Sequence, residues 1–73
     1  MFATALTQAG HVTRFTITDA GYHGWELRVE QDSKIVRRVR YRDWHRVERA
    51  LTVITQQISE LKAGGWREMG NVR

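Results

Sequence analysis

A chain of 73 residues has room for one domain, and at that length its core must be thin. It contains no cysteine and no proline, which excludes a disulfide framework, a Cys-based metal site and a proline-rich linker. Its net charge of +4 is concentrated: Lys34 to Arg49 carries seven basic residues (Lys34, Arg37, Arg38, Arg40, Arg42, Arg46, Arg49) against Asp43 and Glu48, and the remainder is close to neutral.

Met1 to Gly10 shows no clean hydrophobic period and is expected to be a partly ordered terminus, residues 1–11, with Phe2 and Leu6 available to pack. It lacks the charged start and apolar length of a signal peptide. No run approaches the roughly twenty apolar residues that cross a bilayer, so a soluble, cytoplasmic protein without membrane contact is expected. His11 to Ala20 alternates, with Phe15 and Ile17 on one side and Arg14, Thr16 and Thr18 on the other, which predicts a strand over 12–20. Asp19 to Gly24 then reads as a turn.

Trp25 to Gln31 alternates more strictly: Trp25, Leu27 and Val29 make an apolar face, and Glu26, Arg28 and Glu30 a charged one. A tight turn at Gln31–Lys34 leads to a third strand over 34–41. Ile35, Val39 and Tyr41 are expected inward, Arg37 at the margin, and Val36, Arg38 and Arg40 outward, near Glu26 and Glu30.

Asp43 to Ala63 predicts one long amphipathic helix. Trp44, Val47, Leu51, Ile54, Ile58 and Leu61 follow a three–four spacing that keeps them on one stripe. Asp43 caps its start, although Arg46 stands where a capping box would place Glu or Gln. Lys62 suits the last turn, and Gly64 and Gly65 end it. The stripe is expected to be the core face of a helix lying on a sheet, since a coiled-coil seam needs more heptads. The expected fold class is α+β, a three-stranded antiparallel meander (β-β-β-α) with the helix packed on one face. The domain then covers residues 12–66, with a tail over 67–73. Trp25, Leu27, Val39, Trp44, Leu51, Ile54 and Ile58 are its expected core.

Catalytic chemistry finds little support. His11, His23 and His45 share no ligand spacing, and the glycines match neither a phosphate loop nor a dinucleotide fingerprint. Asp19 and His23 look close across a turn, but no nucleophile stands nearby. No catalytic residue, cofactor or metal is expected. The basic stretch is different. Arg42, Arg46 and Arg49 recur along one helix side at its N-terminus, where cations oppose the dipole. Val53 continues that side one turn on, and a rule broken without local compensation points to function. The expected partner-binding residues are Arg37, Arg38, Arg40, Arg42, Arg46, Arg49 and Val53.

Two partner classes fit. Nucleic acid would be held non-specifically through phosphates, because the outward sheet face offers no aromatic to stack a base. A protein surface would exploit arginine interleaved with apolar groups. A small basic chain without cysteine, proline or catalytic motif resembles the small regulators with which bacteriophages bind host RNA polymerase. That resemblance implies docking on the polymerase and inhibition or altered termination, and it assigns no residue. Direct nucleic-acid binding is the alternative, and a structural or oligomerisation module a further one. A monomer or weak homodimer is expected.

Overall fold

The computed structural model describes residues 2–69. Two-residue turns decide most of the architecture. Strand β1 (Phe2–Gln8) turns through Ala9 and Gly10 into β2 (His11–Asp19). Strand β3 (Trp25–Gln31) turns through Asp32 and Ser33 into β4 (Lys34–Tyr41). All four turn residues have positive φ, the backbone of a type I′ turn, whose twist matches that of the paired strands. A short 3-10 segment, Gly21–His23, joins β2 to β3. It ends at Gly24, whose φ of +86° and closeness to the Tyr41 carbonyl leave no room for a Cβ.

Helix α1 (Trp44–Ala63) follows, and after it comes the two-residue strand β5 (Arg67–Glu68). The sheet is five-stranded and antiparallel, in the order β4-β3-β2-β1-β5. The three-stranded meander expected from the alternation is therefore corrected: the chain remains α+β, but Phe2–Gln8 is an internal strand and Arg67–Glu68 a fifth. The reason is the length of the helix. Twenty residues make a rod about 30 Å long. Three strands, at about 4.8 Å spacing, present too narrow a surface to bury its stripe. The helix runs from one sheet edge at β4 to the other at β5, and β1 widens the platform between them.

Register fixes which side chains meet. Leu6 lies opposite Thr13, Phe15 opposite Thr4 and Val29, and Ile17 between Phe2 and Leu27. These residues face the helix. Leu6, Phe15, Ile17, Leu27, Val47, Ile54 and Ile58 form the buried core, with Trp25, Val29, Val39, Leu51, Leu61 and Trp66 packed around it. Trp44, expected inside, is 43% exposed and instead sets its ring edge-on to Trp25 at 4.8 Å. Ile35 is likewise corrected. A bulge between Val29 and Glu30 pairs Glu30 with Ile35 but Val29 with Arg37, so Ile35 turns to the open face while Arg37 stays on the helix side with Val39 and Tyr41.

The helix ends are built as their residues suggest. The Asp43 carboxylate accepts the Arg46 amide at 3.0 Å. At the other end Gly65, at φ +106°, donates to the Lys62 carbonyl while Trp66 donates to that of Leu61, a complete Schellman motif. Gln8 Nε2 donates to the Gly64 carbonyl at 3.0 Å, fastening the β1–β2 turn to the helix terminus. Among the described residues no helix is long and apolar enough to cross a membrane.

Candidate binding surface

Strand β4 divides the basic stretch between two faces. Its helix-side residues Arg37 and Tyr41 form one wall of a groove, and Arg46, Arg49, Ala50 and Val53 of α1 form the other, with Leu27 and Ile54 at the floor. Helical spacing aligns Arg46, Arg49, Ala50 and Val53 on the side of α1 nearest the sheet edge. Trp44 against Trp25 holds that end of the helix in place. The groove is thus guanidinium at its rim and apolar at its base. Arg46 Nε also lies 3.6 Å from the Asp43 carboxylate, an exposed contact that softens its opposition to the helix dipole.

Arg38 and Arg40 lie on the opposite, uncovered face of the sheet. There they converge on Glu26: Arg28 Nε is 2.6 Å from Oε2, Arg38 Nε 3.4 Å from Oε2, and Arg40 Nε 3.3 Å from Oε1. The residue is only 7% exposed, covered by the arginine side chains rather than by the core. The Arg28 hydrogen bond, helped by the charges of Arg28 and Arg38 and the Arg40 hydrogen bond, holds its carboxyl below the ordinary range against the opposing desolvation. Arg28 and Arg38 sit directly opposite each other in the ladder, and the shared carboxylate is what makes that like-charged pair tolerable. Arg14 adds a looser contact to Glu30, at 3.9 Å.

The expected binding residues are therefore not one patch. Arg37, Arg46, Arg49 and Val53 come together in the groove, Arg38 and Arg40 form a second cluster behind the sheet, and Arg42 is exposed in the connection between β4 and α1. Arg28 belongs to the second cluster and was not among the residues expected from sequence. Its signal was present in the Glu26–Arg28 alternation, which puts both side chains on one face.

The imidazole–carboxylate contact also falls elsewhere than expected. Asp19 accepts the Gly21 amide, whereas His11 Nδ1 lies 2.8 Å from Asp32 Oδ2, joining the start of β2 to the β3–β4 turn. Asp32 also accepts the Val12 amide at 2.9 Å, and this bond, with the His11 contact, lowers its carboxyl from the ordinary value. Among the described residues no three His, Asp or Glu side chains are grouped as metal ligands. No family profile, curated protein or solved structure matches this chain.

Proposed function

We propose that this protein is a non-catalytic binding module that docks on an acidic protein surface through the groove between β4 and α1. The single observation that supports the reading is the composition of that groove: Arg37, Arg46 and Arg49 stand beside Ala50 and Val53 over a floor of Leu27 and Ile54. Guanidinium groups beside apolar surface suit a protein interface, where the charges steer and orient and the apolar base is desolvated. Phosphate binding alone would gain nothing from Val53, which is 53% exposed. RNA polymerase, the partner implied by the resemblance in size and charge, is the first target to test, with altered initiation or termination as the consequence.

Replacing Arg46 and Arg49 together by Glu tests the groove. Both positions are exposed, so the fold should persist, and acids near a helix start should leave its stability equal or slightly higher. Capture of the partner should fall at least about tenfold in affinity, because attraction becomes repulsion at the contact. Val53→Asp should weaken it as well. Undiminished capture by the double variant would refute the docking groove. Capture that disappears on nuclease treatment, and that ignores Val53→Asp, would assign the basic residues to nucleic acid instead.

A further inference from the structure

Strand β4 is a free sheet edge. Among the described residues its outward amides and carbonyls have no backbone partner, although β3 pairs it on the inner side from Lys34 to Tyr41. Beyond the bulge, Arg37 to Tyr41 runs regularly. The opposite edge offers no comparable run, because β5 pairs Leu6 and Thr7 and the Met69 amide donates to the Ala5 carbonyl. A bare edge invites another strand, and cationic side chains are one of the means by which proteins discourage neutral or identical strands. They do not discourage an acidic one.

Resting on the docking groove proposed above, we infer that the partner supplies an extended acidic segment that pairs with β4 as a sixth strand. Alternation along such a strand gives each face a separate role. Side chains on the uncovered face meet Arg38 and Arg40. There three guanidinium groups share the one Glu26 carboxylate, which leaves excess positive charge for incoming acids. Side chains on the helix face enter the groove beside Arg37 and Val53 and are best apolar. The expected recognition pattern is glutamate or aspartate alternating with an aliphatic residue. A second copy of this chain does not satisfy it, because β4 against β4 would oppose arginine to arginine without an acid in either strand.

The probe is a capped peptide alternating glutamate and valine, long enough to span Arg37 to Tyr41, titrated into the intact protein by fluorescence anisotropy. Two further versions carry N-methyl groups on alternate residues, one version in each phase. In a paired strand only one phase points its amides at β4. The parent should bind, one methylated version should bind about as well, and the other should lose about a hundredfold, since several edge hydrogen bonds vanish together. Amide exchange should slow at alternate residues between Arg37 and Tyr41 on adding the parent. Equal binding by both methylated versions, or no binding by the parent, overturns strand addition. Neither result touches the docking groove, which stands or falls on capture by the Arg46, Arg49 double variant. Dimerisation of the free protein at micromolar concentration through β4, read by sedimentation, would also overturn the inference, because the edge would already be filled.

Discussion

Ala9 adopts a backbone conformation that L-residues other than Asn and Asp rarely accept, φ +52°, in order to make the β1–β2 turn. Holding alanine there costs on the order of 1 kcal/mol, and asparagine suits it better. Ala9→Asn should therefore stabilise the protein by about 0.5–1 kcal/mol, seen as a rise of several degrees in thermal melting. Glu26 carries a different kind of prediction. Its pKa is lowered in the folded state, so its contribution to stability is present above the ordinary carboxylate range and is lost as pH falls through the lowered value. Glu26→Gln removes that titration and leaves Arg28, Arg38 and Arg40 to repel one another. The variant should melt lower than wild type at neutral pH, and the gap should narrow as the buffer is acidified. A constant gap across the acid range would show that Glu26 is not the titrating group.

The helix and the first strand depend on each other. Val47 and Leu6 are both fully buried, and a sheet without β1 would leave part of the helix stripe, and the edge of Phe15 and Ile17, in water. Leu6→Ala should cost about 2–5 kcal/mol. A domain of this size has only about 4–10 kcal/mol in total, so the variant should be largely destabilised in a urea titration. Leu51, expected in the core, is half-buried and should tolerate the same change better than Leu6 or Ile54. A melting temperature unchanged by Leu6→Ala would mean that β1 does not belong to the cooperative unit.

The first and last strands meet at one edge of the sheet: Gln8 Nε2 donates to the Gly64 carbonyl at the helix terminus, the Met69 amide donates to the Ala5 carbonyl, and Lys62 lies 2.6 Å from Glu68. Sheet order places the latest strand beside the earliest, so folding must close the longest loop the chain offers. That topology should make refolding slower than in a helical bundle of equal size. With no proline anywhere, however, no isomerisation phase is available. Stopped-flow refolding should be complete within seconds and indifferent to prolyl isomerase. A phase lasting tens of seconds would point to association or a trapped species.

Local chemistry was enough to establish the helix from cap to Schellman glycine, the alternation of β2 and β3, the tight Asp32–Ser33 turn and the concentration of arginine. Each of these is a short-range preference, written within a few residues of where it acts. The Ala9–Gly10 turn escaped because alanine carries no left-handed preference, so β1 looked like a terminus and the sheet like a meander of three. Ile35 lies on the open face rather than inward, while Arg37 keeps to the helix side, because one inserted residue reverses the alternation, and a bulge leaves no mark in composition. Alternation already set Arg37 apart from Arg38 and Arg40, and what only the tertiary structure decided is that Arg46, Arg49 and Val53 join Arg37 in one groove. Neighbours along β4 point to opposite sides of the sheet, so one continuous run of charge becomes two surfaces as soon as the helix covers one of them.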